Sequence, residues 1–262
     1  MESQRYCVQC GNSIQPGGRF CGRCGAPAEQ PAVPSEAEGQ IPIAHPSATL
    51  TGSDVVYLHG EHFVDKDNWR TEGITLESSG AKVQKEALVD AMVLAAIASL
   101  VKDGWIEVAM INVGFLLPSK APVLRGLLPA PYIKGGLEGA LFAALHKHEK
   151  MNSVEQVLIR LVGGERDDPW EEIAARVRAH LADTGYFRRV DNPAAHGLGK
   201  LFHAAYRYEP NATLISNSTG EAVRVRSTLA EVQSRDPRTW EQVEKQVRRA
   251  IKACQAKDKN DD

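Results

Sequence analysis

Cys7-Val8-Gln9-Cys10-Gly11 and Cys21-Gly22-Arg23-Cys24-Gly25 are the stretches of this chain whose residue types and spacing point most directly to chemistry. In a CxxC turn two sulfurs can face one ion about 2.3 Å away while backbone amides of the turn donate to the thiolates. The Gly after each second Cys permits the positive φ that closes the turn. Ten residues separate the two knuckles, room for a small hairpin around Gln15-Pro16-Gly17-Gly18. Together Cys7, Cys10, Cys21 and Cys24 supply a tetrahedral four-thiolate site, and one zinc ion is the expected occupant. An iron site uses similar knuckles, so the sequence leaves zinc or iron open. Two disulfides would need an oxidising compartment, for which the chain carries no signal. Four thiolates leave no open coordination position, so the expected role is structural. With so few apolar side chains, residues 1–25 need the metal in order to fold.

The other reactive side chains form no comparable pattern. His146 and His148 sit two apart on an expected helix and point to different faces. His196 and His203 are seven apart, but Gly197 and Gly199 interrupt the helix they would share. All four read as surface or satisfied histidines. His59 and His62 flank Gly60-Glu61 and could make, with Asp65, a weak second metal site, although loop residues are the favoured reading. Cys254 has Lys252 near it but no histidine in its segment, so it reads as a buried or half-buried thiol. No GxSxG elbow, HExxH helix, Walker loop or GxGxxG turn is present. Gly135-Gly136 and Gly163-Gly164 read as helix punctuation. No residue is assigned a catalytic role, and the chain is expected not to be an enzyme.

Basic residues gather at Arg188-Arg189, at Arg224 and Arg226, and in a stripe of Lys245, Arg248, Arg249 and Lys252. The stripe has i, i+3, i+4, i+7 spacing and therefore lies on one helix face. Phosphate contact, from nucleic acid or lipid, is one reading of it. A solvated face balanced by Glu241 and Glu244 is the favoured one.

The elements that position these residues divide by composition. The chain has 262 residues, a net charge of −2 and a hydrophobic fraction of 43%, which excludes a wholly disordered chain and a histone-like polycation. Aromatic residues are only 6%, so the core must be built from Ala, Leu and Val. Residues 1–25 form the cysteine-bearing tip. Residues 26–50 hold five prolines, Glu29, Glu36 and Glu38 and no Lys or Arg, the composition of a flexible linker. Residues 51–256 carry the helical periodicity, and 257–262 form a disordered tail. The first residues lack the apolar run of a signal peptide. The longest apolar run, Ala87 to Val101, is shorter than the roughly 20 residues a membrane span requires. A cytoplasmic location is expected.

Within the body, Lys85 to Lys102 reads as a helix buried on nearly every face. Leu88, Met92, Ala95, Ala96 and Ser99 lie on one side, and Val89, Val93, Ile97 and Leu100 on the other. Trp105-Ile106-Glu107-Val108 and Ile111 to Leu117 read as strands of a hairpin. Helices are expected over 137–147, 153–162, 170–184 and 238–256. The last two start at Asp168-Pro169 and Asp236-Pro237, where a capping Asp precedes a Pro at the first helical position. Twice a long helix stops at a Gly and an aromatic residue opens a strand: Asp103-Gly104-Trp105 and Thr184-Gly185-Tyr186. This is how the third helix of a winged-helix unit enters its wing. The fold class expected is a small zinc ribbon plus an α-rich (α+β) body, with winged-helix-like units as one reading of that body.

The amino-terminal residues, Tyr6-Cys7-x-x-Cys10-Gly11 through Arg19-Phe20-Cys21-x-x-Cys24-Gly25-Ala26-Pro27, resemble the short zinc ribbons of prokaryotic multidomain proteins. The resemblance covers about a tenth of the chain and implies Cys7, Cys10, Cys21 and Cys24 as metal ligands. It also implies an interaction module for protein or nucleic acid. The body, through Ala87–Val101, Gly104-Trp105-Ile106-Glu107, Leu137–Leu145, Trp170–Leu181 and Gly185-Tyr186-Phe187-Arg188-Arg189, is similar to the Golgi phosphoprotein 3-like family. That family is mostly helical and binds phosphoinositide headgroups at membrane surfaces. This chain departs from it at the start of the body, where an acidic leucine run is missing. None of the family's headgroup-binding residues carries over to a position here.

The expected function is therefore a non-catalytic, zinc-binding interaction or adaptor protein whose ribbon docks a protein partner. The alternatives are a peripheral protein that binds phosphoinositide or other anionic lipid, and a regulator that binds nucleic acid.

Overall fold

A computed structural model of the chain describes residues 5–6, 13–14, 49–64, 73–113, 119–127, 135–147, 152–192 and 206–255. Two compact units divide it, Met1–Ile43 and Ala44–Asp262. In the first, strands β1 (Arg5–Tyr6) and β2 (Ser13–Ile14) pair antiparallel, Arg5 opposite Ile14 and Tyr6 opposite Ser13. Cys7 and Cys10 fall in the connection between these strands. They lie outside the described residues, as do Cys21, Cys24, the linker to residue 48 and the tail from 256.

The second unit is mostly helical, with small two-stranded antiparallel sheets. It opens with α1 (Gly52–Leu58), followed by a single 3₁₀ turn at Gly60–His62. A short hairpin, β3 (Gly73–Thr75) with β4 (Lys82–Gln84), leads into α2 (Lys85–Lys102). As its periodicity predicts, α2 buries residues on nearly every face, from Leu88 and Val89 to Ile97 and Leu100. It is the central helix, packed against α1 and against four later helices: α3 (Gly136–His146), α5 (Pro169–Asp183), α7 (Thr219–Arg235) and α8 (Pro237–Ala253). The remaining helices are α4 (Val154–Val162), which packs on α3 and α8, and the short α6 (Ala212–Asn217). Val157, Leu158, Ile173, Val177, Val243 and Val247 carry the same core through α4, α5 and α8.

Both helix–Gly–strand steps enter antiparallel hairpins. Gly104 (φ +70°) and Gly185 (φ +84°) occupy the left-handed region that a side chain would resist. The first hairpin pairs β5 (Ile106–Val113) with β6 (Ser119–Gly126), and the second pairs β7 (Phe187–Asp191) with β8 (Tyr206–Pro210). The first differs from the expectation. The segments expected to be two strands begin as one, because Ala109-Met110 continues the extended run, and its partner starts at Ser119.

Helix ends follow their caps. The Asp168 side chain accepts from the Glu171 amide at 3.0 Å, and Asp236 accepts from the Thr239 amide at 3.1 Å. Not expected from the sequence were α1, α6, α7, β3, β4 and β8. Among the described residues no helix is long and apolar enough to cross a membrane.

Candidate functional site

The densest cluster of buried ionisable groups forms where α1, α3 and α5 converge. Thr51 caps α1 through a capping box: its hydroxyl accepts from the Asp54 amide, while Asp54 Oδ2 accepts from the Thr51 amide at 2.9 Å. The Thr51 hydroxyl also donates to Asp54 Oδ2 at 2.7 Å. Glu138, in the first turn of α3, fastens the same helix end from outside. Its Oε1 accepts from the Ser53 amide at 2.9 Å and its Oε2 from the Ser53 hydroxyl at 2.7 Å. From α5, His180 Nδ1 donates to Asp54 Oδ2 at 2.9 Å and Oδ1 at 3.1 Å. Asp54 and Glu138 are fully buried, and the His180 side chain is 15% exposed.

The imidazole fits because Gly135 and Gly136 leave it room. A Cβ on Gly135 would stand 2.2 Å from His180 Nε2, and one on Gly136 2.9 Å from Nδ1. Beside the ring lies a cavity of about 440 Å³ whose walls include Thr49, Thr51, Ser99, Lys102, Glu138 and His180. The hydrogen bond to Asp54 pushes the His180 imidazole above its ordinary value, against the opposing effect of burial. Burial, with the charge of Asp54 behind it, pushes the Glu138 carboxyl up, although the bonds from Ser53 oppose the shift. Both groups hold their protons more tightly in the fold than in water. The cluster's hydroxyls and carboxylates are spent on one another, and among the described residues the His180 imidazole bonds only to Asp54.

A second network lies across α1. The Tyr57 hydroxyl donates to Glu77 Oε2 at 2.8 Å, and Arg178 of α5 pairs with Glu171 and approaches Glu77 at 3.9 Å. The Arg178 guanidinium stands 5.7 Å from the centre of the Tyr208 ring, a cation–π distance. These contacts tie β8 and α5 to α1.

The side chains singled out by sequence are scattered. His59 is buried and lies 3.0 Å from Ser218 Oγ. Ser218 gives its own proton to the Ile215 carbonyl at 2.7 Å, so His59 Nε2 is the donor. The ring of His62 stands 6.3 Å from that of His59, and Asp65 lies outside the described residues, as do His148, His196 and His203. His146 ends α3 and donates from Nδ1 to the Phe142 carbonyl at 2.9 Å. Cys254 is buried, and burial pushes its thiol up. Among the described residues no group of three or more His, Cys, Asp or Glu is arranged to hold a metal.

The stripe on α8 is exposed, as expected of a solvated face, and its partner is the expected one for Lys245 but not for Arg248. Lys245 pairs with Glu241 at 2.7 Å, whereas Arg248 reaches across to Asp90 of α2 at 3.2 Å. That pair lies on the wall of an open cleft of about 700 Å³, with Trp170, Leu94, Glu244 and Lys252. Arg188 pairs with Glu209, and Arg189 with Asp183 at 3.0 Å.

Sequence reading missed Asp54, Glu138 and His180. The signals were Thr51-x-x-Asp54 ahead of the apolar Val55–Leu58, and a lone acid, Glu138, in an otherwise apolar helix. Comparison with family models, with curated proteins and with solved structures finds no match to this chain.

Proposed function

We propose that the chain is a non-catalytic adaptor. Its amino-terminal ribbon, built on a structural zinc ion held by Cys7, Cys10, Cys21 and Cys24, docks a protein partner, and its helical body presents a second surface. The observation that carries this reading is the spacing of the two CxxC pairs, the first of them set between the paired strands β1 and β2. In a CxxC pair two sulfurs can face one ion, the arrangement a structural zinc requires. The metal supplies folding energy to the tip and no reaction step. On this reading the β5–β6 and β7–β8 hairpins are wings of winged-helix-like units, and the protein works in the cytoplasm.

A protein partner is favoured over an anionic lipid surface or nucleic acid because the arginines of the β7–β8 hairpin are already engaged. Arg188 and Arg207 both meet Glu209, and Arg189 meets Asp183. A phosphate would have to displace these carboxylates. The test is affinity purification of the full chain beside its Cys21→Ser variant. Recovery of the same protein partner with the wild-type chain, and its loss with the variant, is the expected result. Binding to anionic vesicles or DNA that weakens steeply with salt, without a protein partner, would sink the adaptor reading.

A further inference from the structure

We propose that Asp54, Glu138 and His180 form a proton-operated clasp that fastens the amino-terminal turn of α1, and with it Thr49–Thr51, to α3 and α5. The proposal draws nothing from the zinc-ribbon reading and stands whether or not the tip binds metal.

Three features of the geometry carry it. First, two carboxylates from different helices, Asp54 and Glu138, are fully buried in one cluster, with one imidazole beside them. Removing a charge from water is costly unless it is paired. Two buried acids and one histidine balance only while at least one acid keeps its proton. Second, the carboxylates are the fastening itself. Glu138 grips α1 through the Ser53 amide and hydroxyl, and Asp54 closes the capping box on Thr51 while receiving His180. A change in their charge acts directly on the helix end. Third, the cavity of about 440 Å³ bounded by Thr49, Thr51 and His180 gives that end space in which to loosen and take up water.

The charged groups facing His180 are Asp54 from α1, Glu138 from α3 and Asp183 on its own helix, the last engaged by Arg189. Lys102 and Asp103, at the end of α2, line the cavity, and Lys102 is held by Glu231 of α7. Tyr186 follows α5, and burial and Asp54 keep its phenol protonated. Lys102, the lysine on the cavity wall, is thus tied to another acid.

The sign follows from the two groups that titrate. His180 and Glu138 both bind protons more tightly when closed than when exposed. The closed form is fully favoured below the ordinary values of these groups and loses that advantage as pH rises through their shifted values. At the alkaline end, Asp54 and Glu138 oppose each other as buried like charges beside a neutral ring. The clasp therefore opens as pH rises.

Amide hydrogen exchange on the full chain at pH 6 and pH 8.5, corrected for the intrinsic pH effect, tests this. The opening constant of the amides Ser53–Tyr57 should rise severalfold relative to those of Val243–Val247 in α8. Glu138→Gln should remove most of that rise. If the variant does not fold, the wild-type chain still decides the matter through the NMR titration of the His180 ring, whose midpoint should lie above 6.5. A rise shared equally by α1 and α8, no rise, or a His180 midpoint at or below 6.5 would overturn the clasp.

Discussion

Arg248 donates from Nε to Asp90 Oδ2 at 3.2 Å, joining α8 to α2 at the wall of the open cleft. The two ends of this pair sit in different environments: the Arg248 side chain is 68% exposed and that of Asp90 only 14%. An exposed guanidinium contributes little, commonly below about 1 kcal/mol. Burial, with Glu86 and Glu244 behind it, pushes the Asp90 carboxyl up to about 6 in spite of Arg248.

A carboxyl with a raised pKa costs stability wherever the fold forces it to ionise. For Asp90 the cost is absent below about pH 4 and grows as pH rises through about 6. Asp90→Asn should therefore stabilise the body at pH 7.5, by about 1–3 kcal/mol, and leave it unchanged at pH 4. Urea denaturation at the two pH values measures the difference. Equal or lower stability of the variant at pH 7.5 would show that the bond to Arg248 outweighs burial.

Two glycines separate conformational from steric constraint. Gly185 has φ +84° and open space where a Cβ would stand, so Gly185→Ala should cost only the left-handed backbone, about 1–2 kcal/mol. Gly135, at the start of α3, has the ordinary φ of −70°, yet a Cβ there would meet the His180 ring at 2.2 Å. Gly135→Ala must displace the imidazole, weaken its bond to Asp54 and lower the midpoint of its titration toward the ordinary value. Thermal melting and histidine NMR together read both effects. An unmoved His180 midpoint in Gly135→Ala would mean that the ring has another seat.

Asp168 performs two tasks at the start of α5. It accepts from the Glu171 amide at 3.0 Å and from Lys85 Nζ at 2.6 Å, linking the first turn of α5 to the first residue of α2. Loss of a cap costs about 1 kcal/mol, and a half-exposed ion pair adds a fraction of that. Asp168→Ala should thus cost about 1–2 kcal/mol at pH 7, and Asp168→Asn, which keeps the cap, clearly less. Equal losses in the two variants would assign the effect to the ion pair alone.

The sequence made α2 and α5 legible because each carries several mutually consistent signals. In α2 an apolar run ends at Asp103-Gly104, and in α5 Asp168-Pro169 precedes two acids. The α7 helix offered none of these: Ala222 and Val232 are its only fully buried residues among those described, and Arg224, Arg226 and Glu231 break up its apolar face. The α1 helix has only seven residues, and beyond its own capping box it is held by packing on α2 and by Glu138 and His180, contacts 85 and 126 residues away that no local pattern encodes. The candidate cluster was hidden for the same reason. The capping box at Asp54 and the lone acid Glu138 are separate local signals, and only the convergence of three helices makes them one group with His180. The cysteines are the opposite case, since two CxxC pairs within 18 residues are legible from their spacing alone.

The tip and the body should respond independently to loss of a metal ligand. The described helices all lie between Gly52 and Ala253, within the second compact unit, and the described core they build runs from Val56 to Cys254. A serine hydroxyl replaces a thiolate poorly as a zinc ligand, and a ribbon without a core has no other source of folding energy. On the proposed function, Cys21→Ser should take the zinc content from one ion per chain to none and expose residues 1–25 to protease. The far-ultraviolet helical signal and its melting temperature should stay nearly constant. Elemental analysis, limited proteolysis and circular dichroism measure the three quantities on one preparation. A variant whose helical signal falls with its zinc would make metal and body a single cooperative unit. A wild-type chain that carries no metal and has its four amino-terminal thiols oxidised in pairs would remove the ribbon altogether.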